Sequence, residues 1–174
     1  QDQEEPVSEL GYWIVLLKKI MNDENSRQKK INLYYLNTKF EIIVTSLCNS
    51  LINKNLKLLI NLKSEKEVSE LDDFLWLPKD IVITHRTDKD TISVDEKIIL
   101  FCGDYRNQKP FFDYDVIIFS PNVKVKRVEI FKNFFFFSYY NDELSIRKNK
   151  LKLENSGFMV KTLIEKQNQK WEIN

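Results

Sequence analysis

The amino-acid sequence predicts an α/β protein, a three-layer α/β/α sandwich with a mainly parallel sheet of five or more strands. From Lys30 onward, short strand-like segments alternate with longer segments whose apolar residues recur at helical spacing. This alternation is typical of βαβ units, in which a helix crosses over between parallel strands. Two later segments, "KIILFCGD" and "YDVIIFSP", are continuous apolar runs. Such runs are expected where helices cover a strand on both faces.

The chain opens with a helix-like segment that a polar run separates from the rest. In "SELGYWIVLLKKIM", Ser8 is a candidate N-cap. The apolar residues that share one helix face are Leu10, Trp13, Ile14, Leu17, Ile20 and Met21. "NDENSRQKK" is typical of a linker, so we predict a helix and linker over residues 1–29 and one α/β domain over residues 30–174. The helix either folds back on the domain or docks a partner; both interpretations stay open.

The first half of the domain contains two strand–helix pairs. "KINLYYLN" predicts the first strand, and "LKLLINLKS" predicts the second. Between them, "FEIIVTSLCNSLINKN" predicts a helix, whose buried face carries Phe40, Ile43, Val44, Leu47 and Leu51. "EKEVSELDDFLWL" predicts the next helix, which Pro78 ends because proline lacks the backbone donor that the helix needs.

The second half continues with three strands and then helices. "DIVITH" predicts a third strand that ends at His85, and the two continuous apolar runs predict the fourth and fifth. From Val123 to Phe158 we predict two helical pieces, the first of which contains Val128, Phe131 and the run Phe134–Phe137. The second begins at Asp142 as a cap and ends at Gly157, a residue suited to the left-handed C′ position.

Composition and motif content exclude several kinds of function. With 27 basic and 26 acidic residues the formal net charge is +1, so binding to nucleic acid or to an anionic membrane would need a local patch. The chain has 3 glycines, which are far apart, and neither GxxxxGK[ST] nor GxGxxG occurs. Both motifs use glycines to bring backbone N–H groups close to phosphate. We therefore expect no nucleotide and no other cofactor.

The cysteines and the single histidine do not form a metal-binding pattern. Cys48 and Cys102 lie in apolar contexts, as reduced core thiols of a cytoplasmic protein do. His85 has no HxxxH or CxxC spacing beside it, so no zinc site is expected, and a structural contact to backbone is the better interpretation. The apolar runs are too short to span a bilayer, and the acidic start "QDQEEP" differs from a secretory signal.

Carboxylates at strand ends are the remaining candidates for catalysis. Asp104 follows the fourth strand, where open α/β folds often bind ligands. A metal-dependent nuclease that uses Asp104 is therefore an alternative function. Asp113 and Asp115 precede the fifth strand, which places them at the opposite edge of a parallel sheet. The sequence thus favours a protein without a catalytic site.

A basic segment near the C-terminus is the most informative charged feature. Arg147, Lys148, Lys150 and Lys152 follow the aromatic segment "NFFFFSYY". This combination fits a solvated helix face, a site for an acidic peptide with an apolar end, or a groove for single-stranded nucleic acid. Because the net charge is near zero, the peptide is favoured over nucleic acid.

Several motifs, in the same order along residues 30–160, resemble the chi subunit of bacterial DNA polymerase III. They are "LYYL" on the first strand, "SLCNSLINKNLKLLINLKSEKEVSELDDFLW" through the second helix, and "RVEIF" followed by "ELSIRKNKLKLENSGF". The segment "LDDFLW" with a downstream histidine is the most specific part. The chain departs from the family pattern at Lys150, Leu153 and Glu154, and residues 1–29 have no counterpart in it.

The resemblance implies a non-catalytic replication accessory protein of the clamp loader. Its fold would be that of a helicase motor half without a nucleotide loop, and no metal would be bound. One partner would be the psi subunit, bound through Trp76 and Ile83. The other would be the acidic C-terminal tail of single-stranded DNA-binding protein, with only indirect contact to DNA and none to membranes. For that tail the resemblance implies Arg147, with Phe136 at the neighbouring apolar position, and we expect the adjacent cations Lys148 and Lys150 to contribute.

Overall fold

The computed structural model describes residues 30–77, 82–104, 114–123, 133–141, 143–167 and 170–173. Within them lie eight strands, β1 (Lys30–Leu36), β2 (Leu58–Leu62), β3 (Arg86–Thr87), β4 (Ile98–Cys102), β5 (Val116–Phe119), β6 (Asn133–Tyr139), β7 (Met159–Lys166) and β8 (Lys170–Ile173). The helices are α1 (Phe40–Ile52), α2 (Glu65–Trp76) and α3 (Glu143–Asn155). The predicted N-terminal helix lies outside the described residues, as do Pro78, Asp113, Val128, Phe131 and Asp142.

The eight strands form one sheet in the order β3-β4-β2-β5-β6-β1-β7-β8. All neighbouring strands are parallel except β7 and β8, which pair antiparallel at one edge. The predicted α/β class and mainly parallel sheet are confirmed, with eight strands. The segments predicted as the first, second, fourth and fifth strands correspond to β1, β2, β4 and β5.

Two hydrophobic cores lie on opposite faces of this sheet. Tyr34 of β1 packs on one face in a core that contains the buried residues of α1 and α2. Its neighbour Tyr35 packs on the other face, in a core that contains Ile146 of α3. Successive residues of a strand point to opposite faces, so the continuous apolar strands supply both cores. This is the three-layer arrangement that the sequence predicts.

The prediction of a helix over Phe134–Phe137 is wrong, because these residues belong to strand β6. Phe135 and Phe137 face the core of α1 and α2, while Phe134 and Phe136 face the core on the α3 side. A run of four phenylalanines has neither helical nor strand periodicity. Its uniform apolar character is that of a strand covered on both faces.

The predicted third strand is also displaced. Val82–His85 is not part of the sheet, and the short strand β3 begins directly after His85. Burial alternates along this segment, since Ile83 and His85 are buried while Val82 is exposed. This alternation is typical of a strand, which explains the prediction. Pairing with β4, however, begins only at Arg86, the first residue of the edge strand β3.

Helix α3 ends as the sequence predicts. Gly157 has φ +89°, a left-handed conformation that glycine adopts without a Cβ penalty. The N–H of Gly157 donates to the carbonyl of Glu154 at 2.9 Å, and the N–H of Phe158 donates to that of Leu153 at 3.2 Å. These two bonds form a Schellman motif, which fixes where the chain leaves α3 and enters β7.

Candidate functional site

Three residues determine which side of α3 faces the sheet. Ile146 is buried and Leu153 is partly buried, and both pack in the core on this face. The side chain of Asn149 hydrogen-bonds that of Tyr35; burial raises the pKa of the Tyr35 hydroxyl, and this bond offsets part of the rise. Because the contacts come from positions 146, 149 and 153, the side of the helix opposite them faces solvent.

The solvent side of α3 carries two exposed leucines with cations between them. Leu144 is 81% exposed and Leu151 is 58% exposed. Seven residues apart, they lie on the same side of the helix, separated by about 10 Å along its axis. Arg147 and Lys148, also exposed, lie one turn from each leucine. We call Leu144, Arg147, Lys148 and Leu151 the α3 outer face.

The other two residues predicted to bind the tail, Lys150 and Phe136, lie outside the α3 outer face. Lys150 is partly buried and belongs to the flank of α3 rather than to its outer face. Phe136 is partly buried in β6, on the same side of the sheet as α3, and its ring stacks on Phe119 with centroids 4.8 Å apart. Arg147 and Lys148 are thus brought together with the exposed leucines. A pocket shared by Phe136 and Arg147 stays a prediction.

The predicted partner surface at the end of α2 contains one exposed and one buried residue. Trp76 is 48% exposed, and Leu77 directly after it is 54% exposed. Ile83 is fully buried in the core beneath α2. Ile83 can therefore support this surface from inside, while Trp76 and Leu77 supply the apolar area that a partner could contact.

His85 makes the structural contact to backbone that the sequence predicts. Its ring is buried, and Nδ1 lies 2.8 Å from the carbonyl oxygen of Ile83. Nε2 lies 2.9 Å from Oδ1 of Asp72, which also accepts from Nε1 of Trp76 at 3.3 Å. The rings of Trp76 and His85 lie 4.5 Å apart between centroids. Asp72 is not among the site residues predicted from the sequence, although its i, i+4 spacing from Trp76 places both on one helix face.

The carboxylates of Asp104 and Asp115 lie at opposite ends of the parallel strands, as predicted. Strands β4 and β5 both run parallel to β2, so Asp104 follows a carboxyl end and Asp115 precedes an amino end. Oδ2 of Asp115 accepts the N–H of Lys57 at 2.9 Å, which ties the start of β5 to that of β2. Within the described ranges, no group of three His, Cys, Asp or Glu side chains could hold a metal ion.

Both cysteines are free thiols. Cys48 is fully buried, as predicted for a core thiol, whereas Cys102 at the end of β4 is only partly buried. The thiol of Cys102 donates to Oε1 of Glu65 at 3.0 Å, and Lys89 pairs with the other carboxylate oxygen at 2.8 Å. The Glu65 contact, together with burial, raises the pKa of Cys102 to about 11. The thiol is therefore a poor nucleophile at neutral pH.

A buried carboxylate on β7 accepts hydrogen bonds from the loop between β1 and α1. Oε2 of Glu165, on β7, accepts the N–H groups of Asn37 at 2.7 Å and of Thr38 at 2.9 Å, and Oε1 accepts the Thr38 hydroxyl. Glu165 is 1% exposed. In dinucleotide-binding α/β folds, backbone N–H groups of the first strand–helix loop face a phosphate. Here two of them face a side chain of the same protein, 128 residues away from Asn37 in the sequence.

None of the helices in the described ranges is both long and apolar enough to cross a membrane. Comparison with models of protein families and with curated proteins gives no match for this chain.

Proposed function

We propose that this protein is a non-catalytic binding module that holds an acidic peptide with apolar side chains on the α3 outer face. The observation that carries the proposal is the placement of Arg147 and Lys148 between two solvent-exposed leucines. Cations form charge-assisted hydrogen bonds with carboxylates, and covering Leu144 and Leu151 removes apolar area from water. An acidic peptide with apolar residues supplies both complements.

The composition of α3 favours a peptide over single-stranded nucleic acid. The helix "ELSIRKNKLKLEN" contains Arg147, Lys148, Lys150 and Lys152 against Glu143 and Glu154, which gives four positive and two negative charges. Groove binding of single strands uses aromatic rings on which bases stack. The exposed apolar side chains on either side of Arg147 and Lys148 are leucines, which bury apolar groups but offer no ring for stacking.

We further propose a role in DNA replication, which rests on the resemblance to the chi subunit. In that role the acidic peptide is the C-terminal tail of single-stranded DNA-binding protein, and the surface of Trp76 and Leu77 receives a psi-like subunit. The protein would then join the clamp loader of DNA polymerase III to coated single strands. One tail should bind at a micromolar Kd, about −8 kcal/mol, and less tightly at high salt. Many tails along a filament would raise the effective affinity.

The binding experiment is an anisotropy titration with a labelled acidic peptide that ends in Ile-Pro-Phe. We expect Arg147→Ala to weaken binding about tenfold, or about 1.4 kcal/mol, through loss of a charge-assisted contact. Lys66→Ala is the matched control, because Lys66 is an exposed cation on α2, on the opposite side of the sheet. Equal binding by wild type and Arg147→Ala would remove Arg147 from the site.

The replication role is tested separately, by purifying the tagged full chain from its native cell. Recovery of clamp-loader subunits and of single-stranded DNA-binding protein is the expected result. Recovery of neither, together with peptide binding in the titration, would leave the binding module intact and reject its assignment to replication.

A further inference from the structure

A cleft of about 130 Å³ opens on the face of the sheet opposite α3. It lies beyond the carboxyl ends of β2, β5 and β6, next to the first turns of α1 and α2, and is lined there by residues such as Leu62, Ser120 and Tyr139. Ligands of open α/β folds bind beyond the carboxyl ends of the strands. Because α1 and α2 cover this face and α3 covers the other, the cleft is separate from the α3 outer face.

The cleft is strongly acidic. Its lining includes Glu41, Glu67 and Glu70, and no described residue that lines it is basic. The N-termini of α1 and α2 each contribute about half a positive charge, which three carboxylates outweigh. An anionic ligand is therefore disfavoured here, and a cation is favoured.

The three carboxylates differ in how far they are already engaged. Oε2 of Glu67 accepts a hydrogen bond from the N–H of Lys63 at 3.0 Å, so this side chain is already engaged at the start of α2. Glu70 pairs with Lys66 at 3.6 Å, and both side chains are well exposed, so the pair contributes little energy that a ligand of Glu70 would have to replace. No ion pair joins Glu41 to another residue in the part of the chain that the structure describes. Glu41 and Glu70 are thus available to a ligand.

A buried hydroxyl in the lining supports a ligand independently of the acids. Ser120 is 3% exposed, and its Oγ has no hydrogen-bond partner among the described residues. Its backbone is fully used, since its N–H donates to Asn61 at 2.9 Å and its carbonyl accepts from Val123 at 3.3 Å. Buried polar groups in native proteins are nearly always paired. A donor group in the cleft would supply the missing partner.

Two aromatic residues limit the shape of the ligand. Phe40 and Tyr139 both line the cleft, and the Tyr139 hydroxyl accepts the N–H of Phe40 at 3.1 Å, which holds the start of α1 against the end of β6. The volume is close to that of a cavity of about 150 Å³ that holds benzene, so about six non-hydrogen atoms fit. A planar cation with several N–H donors matches aromatic walls and spaced carboxylates better than a compact ammonium does.

We propose that this cleft binds a guanidinium group, through the carboxylates of Glu41 and Glu70 and the hydroxyl of Ser120. The group comes either from a free small molecule or from an arginine side chain of a polypeptide. The guanidinium donates to the two carboxylates and to Ser120 Oγ, while its plane lies against the aromatic lining.

The test is an NMR titration of the full chain, followed at the backbone amides of Leu62, Leu71 and Asn122, which line the cleft. The probes are N-acetylarginine amide, its neutral isostere N-acetylcitrulline amide, and methylguanidinium, a free small molecule with the same single positive charge as the capped arginine. We expect saturable shifts with a guanidinium probe and at least about tenfold weaker binding of the citrulline probe, because its charge is absent. Tighter binding of methylguanidinium indicates a free small molecule, and tighter binding of the capped arginine indicates a polypeptide.

Variants then identify the groups that bind. Glu41→Gln and Glu70→Gln keep the shape of the side chains, and each should weaken the guanidinium probe several-fold. Ser120→Ala should also weaken it. Glu154→Gln, on the exposed side of α3, is the matched control and should bind as wild type does. Equal binding of the arginine and citrulline probes, no saturable shift at millimolar probe, or unchanged binding by Glu41→Gln with Glu70→Gln would each overturn the proposal.

Discussion

The carboxylate of Asp72 on α2 lies 2.9 Å from the buried ring of His85, which precedes β3. The same oxygen accepts Nε1 of Trp76. The other His85 nitrogen faces the Ile83 carbonyl, so both ring nitrogens face oxygen acceptors. A neutral imidazole can donate to only one of them, and a protonated one can donate to both. Asp72 thereby links the end of α2 to the edge of the sheet.

Asp72→Ala should destabilise the protein by about 1–3 kcal/mol, because it leaves a buried nitrogen of His85 without an acceptor. Asp73→Ala is the matched control: the neighbouring side chain is exposed, so its loss should cost less than about 0.5 kcal/mol. The measurement is urea unfolding at neutral pH. Equal midpoints for the two variants would contradict a structural role for the Asp72–His85 contact.

Substitution of an exposed leucine of the α3 outer face should change the peptide affinity but not the stability of the fold. Leu144→Ala removes little buried area, so unfolding should change by less than about 0.5 kcal/mol while the acidic peptide binds more weakly. Ile146→Ala should lower the free energy of unfolding by about 2–4 kcal/mol, because Ile146 is buried in the core, and should leave the affinity for the peptide unchanged. Peptide titration and urea unfolding of both variants decide this. Unchanged peptide affinity in Leu144→Ala would place the binding surface elsewhere.

Cys102 should react slowly with iodoacetamide until the pH approaches about 11, because only the thiolate is nucleophilic. Glu65→Gln removes the nearby negative charge, which should lower the pKa of Cys102 and speed alkylation near pH 8. A full return to the ordinary value of 9.0 would increase the thiolate fraction about a hundredfold. Mass spectrometry of the peptide that contains Cys102 gives the rate. A rate in the Glu65→Gln variant no faster than wild type would show that Glu65 does not set this pKa.

Gly157→Ala should destabilise the protein by about 1–2 kcal/mol through backbone strain alone. A Cβ at this position would have no heavy atom within 4 Å, so no steric clash contributes. Gly157→Asn should cost less, because asparagine tolerates the left-handed conformation better than alanine does. Asn55, at φ +60° after α1, already does so in this protein. Thermal unfolding of both variants checks the order, and a cost for Asn equal to or above that for Ala would contradict it.

Glu165→Ala should lower the free energy of unfolding by about 3 kcal/mol or more, because it leaves two backbone N–H groups and a hydroxyl without their acceptor. The control is Glu172→Ala. Glu172 pairs with Lys166 at the surface, where such pairs contribute less than about 1 kcal/mol. Urea unfolding compares them. A similar loss in both variants would mean that the buried carboxylate contributes no more than an exposed ion pair.

The parts of the fold that follow from local periodicity could be predicted from the sequence. Helix α1 shows its buried face through Phe40, Ile43, Val44 and Leu47 at helical spacing, and the Gly157 termination follows from glycine's freedom at positive φ. Strand β6 could not be predicted in this way. Four identical apolar residues have no period, so only the two cores on either side of Phe134–Phe137 decide between helix and strand.

The polar contacts that shape the sites depend on distant parts of the chain. Glu165 meets Asn37 only because β7 pairs with β1, and Asp72 meets His85 only because α2 packs near β3. The basic character of α3 is visible in the sequence. The exposure of Leu144 and Leu151 is not, since it depends on which side of the helix the sheet covers.

Glu165 also means that the donors of the first crossover loop are already paired within the protein. A loop that releases and rebinds a phosphate can change shape during each cycle of hydrolysis. The corresponding donors here are engaged by a strand of the same sheet, so a phosphate at this position would first have to displace the Glu165 side chain from them.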